Sequence, residues 1–151
     1  IEDAVNSVKC ALNEGVLPGG GIAMLKSVEA VKSSFNKTDL PDIHAGKRLL
    51  MEALQGPFKR ILENGGDSVS YVLANTLPVC KKGKMGGYNA RTKEVVKDML
   101  EEGIVDPTKV TITALYSAVS VAKIMLSTGC IINFYVNNEQ DKDGFILPKQ
   151  N

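Results

Sequence analysis

The stretch Glu14-Gly15-Val16-Leu17-Pro18-Gly19-Gly20-Gly21-Ile22 decides the fold, because it sets three consecutive glycines between two segments patterned for helix. Before it, Ile1, Ala4, Val5, Val8, Ala11 and Leu12 recur at helical spacing with polar residues between them, and Gly15 supplies the stop. After it, Ile22, Leu25, Val28 and Val31 share one helical face. The glycines allow backbone conformations closed to other residues. Such a turn at a helix N-terminus can bring amides close to an anion, and it can equally be a plain tight turn. It is neither a Walker loop, which would need Lys and Ser/Thr after the last glycine, nor the G-x-G-x-x-G fingerprint, since Met24 stands at the final glycine position.

Outward from this turn the chain keeps reading as helix. Asn36 to Asp42 is a polar surface loop. Leu49-Leu50, Ala53-Leu54, Phe58 and Ile61-Leu62 form one apolar stripe, which Gly56-Pro57 splits into two helices in tandem. Asn64-Gly65-Gly66 breaks the pattern, Asp67-Ser68 offers a cap, and Val69, Val72 and Leu73 predict a short helix closed by Pro78. Lys81 to Tyr88 is basic and glycine-rich, an exposed loop or hairpin, and Glu94 to Glu102 predicts a brief helix ended by Gly103. Asp106-Pro107 is a helix start, with the carboxylate as cap. Val110 to Leu126, whose one charge is Lys123, predicts a central buried helix. Cys130 to Val136 is a β-branched and aromatic strand without an evident partner, and residues 137–151 read as a mobile tail.

Composition narrows the function. The 151 residues match one ordinary domain, and Ile1 in place of Met, already helix-patterned, predicts a segment of a longer chain. A net charge of +1, from 18 Lys+Arg against 17 Asp+Glu, provides no field for nucleic acid or an anionic membrane. Apolar runs of a few residues fall short of the roughly 20 that a membrane helix needs, which predicts a soluble protein. Cys10, Cys80 and Cys130 are far apart, against a disulfide framework or zinc knuckle and in keeping with a reducing compartment. His44 is the one histidine and reads as a surface residue, leaving little for a His-based metal site or a Ser-His-Asp triad. Lys81, Lys82 and Lys84 lack interleaved aromatics for nucleic-acid binding, and Asp3 on an exposed helix face is ordinarily solvated charge.

Glu2-Asp3-Ala4, Glu14 to Gly21, Gly87-Tyr88-Asn89-Ala90 and Gly103-Ile104-Val105-Asp106-Pro107-Thr108-Lys109-Val110, in this order, resemble the C-terminal part of a group I (GroEL-type) chaperonin. The resemblance implies a mainly α fold: half of a multi-helix chaperonin equatorial domain, with a small β-hairpin and a C-terminal strand. Residues 1–13 would end the intermediate domain, 14–136 would belong to the ATP-binding equatorial domain, and 137–151 would form the mobile tail. Gly20 would let its backbone approach the ribose, Asn89 and Ala90 would line the adenine pocket, and Ile104 would pack against the base. Asp106 would accept ribose hydroxyls while capping its helix. Asp3 would be the catalytic aspartate that orients the water attacking the γ-phosphate.

The resemblance further implies ATP with Mg²⁺, whose ligands would lie elsewhere in the subunit. It implies neighbouring subunits in a ring, unfolded client proteins and a co-chaperonin as partners, with neither nucleic acid nor membrane. The family's Gly-Asp-Gly-Thr-Thr phosphate-binding turn is not in these 151 residues, so the segment alone should not hydrolyse ATP. Gly-Gly-Met repeats do not follow Val136, and the expected compartment is the mitochondrial matrix or plastid stroma, with the bacterial cytoplasm as alternative. The strand Cys130 to Val136 would pair with an N-terminal strand and a neighbour's hairpin. The rivals are a helical interaction or oligomerisation module that binds no nucleotide, and an unrelated small enzyme built on the glycine turn.

Overall fold

A computed structural model of the chain describes residues 2–81 and 85–130. Six helices carry most of it: α1 (Glu2–Glu14), α2 (Ile22–Ser33), α3 (Pro41–Ala53), α4 (Gly56–Asn64), α5 (Val69–Lys81) and α6 (Thr108–Ser127). Four three-residue strands, β1 (Val16–Pro18), β2 (Gly87–Asn89), β3 (Glu94–Val96) and β4 (Val105–Pro107), form two antiparallel ribbons. In one, Leu17 faces Asp106; in the other, Tyr88 faces Val95. The mainly α expectation and its small hairpin hold.

The chain divides into a compact unit that runs to Tyr116 and a second that begins at Ser117, inside α6. The first unit holds the core. Ile22 and Leu25 from α2, Phe58 and Leu62 from α4, Val72 and Cys80 from α5, Tyr88 from β2 and Met99 from the following turn pack together. The apolar positions spaced along α2 and α4 thus face one another, and burial of each such side chain contributes roughly 1.5–3 kcal/mol. Pro57 enters at the first turn of α4, where a missing N–H costs nothing, so the stripe is two helices. A polar clamp holds the α2–α3 connection: Lys47 Nζ bonds the Asp39 carboxylate and the Ser34 carbonyl, and His44 packs on the Phe35 ring with centroids 5.2 Å apart.

Several sequence expectations give way. The polar loop ends earlier than Asp42, because Pro41 opens α3. Pro78 does not close α5, which continues to Lys81. Glu94 to Glu102 is no helix: Val95 and Val96 join the hairpin, and Asp98 Oδ1 then accepts the N–H groups of Leu100 and Glu101 in a turn. Asp67 does not serve α5 as a cap; its carboxylate accepts the Tyr88 hydroxyl at 3.2 Å and pairs with Lys93 at 3.1 Å.

The largest departure is α6, which buries no residue. Tyr116 is 72% exposed and Leu126 78%. By length and composition alone it could also cross a membrane, at a mean hydropathy of 1.5. The short apolar runs do not show this, because threonines, serines and one lysine interrupt them without making the helix polar. Nearly all of the strand from Cys130 to Val136, and the whole of the expected tail, lie outside the described residues.

Candidate functional site

The glycine turn is built by close backbone approach. Gly19 N–H donates to the Ile104 carbonyl at 2.9 Å, and a Cβ on Gly19 would sit 3.1 Å from that carbonyl. Gly20 and Gly21 take φ of +64° and +78°, the left-handed region that disfavours side chains. Their surroundings differ. A Cβ on Gly21 would lie 2.8 Å from the Phe58 nitrogen, whereas one on Gly20 would meet only Met99 Cε, at 3.8 Å. Gly20 instead borders a cavity of about 260 Å³, together with Gly21, Met24, Pro57, Asp106 and Thr111.

Asp106 reaches this cavity because β4 pairs with β1 immediately before the glycine turn. Burial pushes its carboxyl above the ordinary aspartate value, and among the described residues no hydrogen bond reaches its oxygens. The expected cap is therefore absent. Pairing in the ribbon holds 105–107 extended, and α6 starts only at Thr108, where Thr111 Oγ1 donates to the Pro107 carbonyl. The carboxylate is partly buried and open to the cavity, where a donor could reach it.

The other expected residues gather more loosely. Ile104 is fixed by the bond from Gly19 and by its own N–H to the Met99 carbonyl at 2.9 Å, and it packs against the core cluster, as does Ala90. Asn89 ends β2, and its Oδ1 accepts the N–H groups of Arg91 at 3.0 Å and Thr92 at 3.3 Å, so this oxygen shapes the hairpin turn. Gly20 and Asp106 share the cavity; Ile104, Asn89 and Ala90 do not line it. Asp3 is exposed near the start of α1, twelve residues before Gly15. At 1.5 Å per residue that is about 18 Å of helix. The far end of α1 is tied down by a Glu14–Lys109 ion pair at 3.1 Å and by Thr108 N–H to the Gly15 carbonyl.

Pro57, Ile61 and Thr111 also line the cavity, and sequence reading missed all three as site residues. Pro57 and Ile61 looked like helix punctuation and stripe, and nothing in the sequence tells which wall a helix start will face. A larger hollow of about 570 Å³ lies between Tyr71, Tyr88, Asp67 and Lys93. It contains none of the expected residues, and its carboxylate is already paired twice.

The fit to a nucleotide can be tested on these walls. At about 260 Å³ the cavity is smaller than the ~300–1,000 Å³ typical of a whole small-molecule site, and no cationic side chain lines it. A ribose beside an acceptor carboxylate and a bare glycine backbone fits; a triphosphate does not. Among the described residues no group of three or more His, Cys, Asp or Glu side chains that could hold a metal ion stands together.

Comparison with known proteins finds that residues 1–134 match the TCP-1/cpn60 chaperonin family. The chain is 41% identical over 140 residues to chaperonin GroEL of Mycoplasmoides gallisepticum, covering 93% of the chain and 25% of that protein. It superposes on the open-state monomer of a group II chaperonin from Methanococcoides burtonii with a TM-score of 0.74 at 24% identity, over 84% of this chain and 32% of the other; at that identity the likeness concerns the fold. A group III chaperonin in the open state gives 0.71 at 36% identity, over 82% and 25%. The chain thus spans about a quarter of the length of the GroEL relative.

Proposed function

The chain belongs to the TCP-1/cpn60 chaperonin family, and from that premise we propose that it forms the ribose- and adenine-facing part of an ATP-hydrolysing chaperonin subunit. Its identity to a bacterial GroEL supports the group I assignment and a role in protein folding. The observation that carries the nucleotide reading is Asp106, a partly buried carboxylate that accepts no hydrogen bond among the described residues, beside Gly20, whose bare backbone borders the same cavity.

In this reading Asp106 accepts the ribose hydroxyls, Gly20 gives them room, and Ile104, Ala90 and Asn89 form the base-facing side. When bound, ATP supplies the phosphoanhydride whose cleavage is coupled to folding, and Mg²⁺ and the phosphate-binding turn come from the rest of the subunit. Asp3 orients the attacking water once α1 has swung. With about 18 Å between Asp3 and Gly15, a swing of about 20° moves it roughly 6 Å. Residues 1–13 then belong to the intermediate domain, 14–136 to the equatorial domain and 137–151 to a tail. The partners are ring neighbours, unfolded clients and a co-chaperonin, the last two through parts outside this chain. The bacterial relative is compatible with a bacterial cytoplasm and lends no support to an organelle.

The exposed apolar α6 favours a second role beside the first, as a contact surface for other parts of the subunit or its neighbours rather than a membrane span. Titration of the full-length subunit with ADP tests the nucleotide reading: Asp106→Ala should weaken binding, and unchanged affinity would refute it. Asp3→Ala should abolish turnover while leaving ADP affinity intact, and normal turnover would remove Asp3 from the chemistry.

A further inference from the structure

Met99 lies in a polar stretch, Lys97-Asp98-Met99-Leu100-Glu101-Glu102, yet it is completely buried. It lies against the glycine turn, the start of β2 and Ile104. Its Cε lies 3.8 Å from where a Cβ on Gly20 would stand, and its Cγ and Sδ are 2.7 Å from the equivalent point on Gly87, the residue that opens β2 two positions before Asn89. Its carbonyl accepts the Ile104 N–H at 2.9 Å, and its own N–H donates to the Met85 carbonyl at 2.8 Å. Gly20 and Gly87 therefore lack side chains on the two sides where this one thioether lies, and an unbranched, deformable side chain suits a gap between two bare backbones.

We infer that Met99 is a positioning residue for the nucleotide: it sets the spacing between the glycine turn, the Gly87–Ala90 segment and Ile104, and so the width of the slot for base and ribose. It touches no ligand itself. The inference rests on the nucleotide reading above. It differs from ordinary core filling in what it affects, since a filler supports the whole fold and all ligands alike, whereas a spacer beneath the base and ribose affects those groups and spares the phosphates.

The test uses the full-length subunit, titrated calorimetrically with ADP and separately with inorganic tripolyphosphate. Met99→Ala should weaken ADP by about tenfold, the loss that follows when about 1.4 kcal/mol of base and ribose contacts is misplaced. Tripolyphosphate affinity should change less than about twofold, and Met99→Leu, which conserves volume, should restore ADP binding. Met99→Val, which leaves a void that the volume of leucine would fill, takes the place of Met99→Ala should that variant not fold, with the same expectations. Unchanged ADP affinity, or equal loss of both ligands, would overturn the inference. Asp106→Ala runs alongside: if it too binds ADP like the parent, the nucleotide reading itself fails, and if it alone loses ADP, only the role of Met99 fails.

Discussion

Gly20 and Gly21 are neighbours in sequence and both left-handed, yet replacing each by alanine should have opposite consequences. A left-handed backbone costs a side-chain-bearing residue roughly 1–2 kcal/mol, and both substitutions incur it. At Gly20 that is nearly the whole cost, because the new methyl would meet only Met99 Cε, at an ordinary 3.8 Å. At Gly21 the methyl would stand 2.8 Å from the Phe58 nitrogen and 3.0 Å from its Cα. Backbone has to shift there, and overpacking of this kind adds about 1–3 kcal/mol, for a total of about 2–5 kcal/mol. Gly20→Ala should therefore leave the fold nearly intact while its methyl, set toward Met99, disturbs the backbone that borders the cavity and weakens ADP binding, and Gly21→Ala should mainly unfold the turn. Urea midpoints by circular dichroism and ADP affinities by calorimetry, both on the full-length subunit, separate the two effects. Gly20→Ala with parental ADP affinity would refute the backbone-approach argument, and a Gly21→Ala midpoint no lower than that of Gly20→Ala would refute the packing argument.

Two further predictions concern charge. Because burial raises the Asp106 carboxyl above its usual 3.8, its contribution to stability is fully present below that value and is lost as pH rises through the folded value. Asp106→Asn should therefore unfold at higher urea than the parent at pH 7 but not at pH 3, while binding ADP more weakly; a lower midpoint at pH 7 would mean the carboxylate is paired. Asp39 runs the other way. The hydrogen bond from Lys47, the Asn36 N–H and the charges of Lys47 and His44 hold it below 3.8, so its contribution is present above 3.8 and disappears as pH falls through the folded value. Lys47→Met should narrow the difference between midpoints at pH 6 and pH 3, and an unchanged difference would exclude the clamp as an acid-sensitive element.

The helices that pack on one side were readable in the sequence, because apolar positions such as Ile22, Leu25 and Val28 recur with the helical period and do face the core. The ribbon of β1 and β4 was not. Three-residue strands hold no alternation to detect, and their pairing depends on segments far apart in the chain. Val95 and Val96 lie in a charged run that mimics helix until the hairpin claims them. For α6 the period was legible and the burial was not, since composition specifies that a helix wants cover without saying which segment provides it. At the site, the motif residues Gly20 and Asp106 do converge, but the work that Asn89 Oδ1 does inside its own turn depends on hairpin geometry. Met99 was hidden because it stands in a mostly charged run while in space it joins the apolar core beside Gly20 and Gly87.

The β1–β4 ribbon also fixes when the pocket can come into being. Val16 and Pro107, which pair in this ribbon, are about ninety residues apart along the chain. Closing a loop of that length is among the slower steps open to a small domain. During synthesis or refolding the helical hairpins around Phe58 can form early, and ligand competence arrives last, when the chain beyond residue 107 has emerged. In pulsed hydrogen exchange the Gly19 amide should therefore gain protection after the amides within α2.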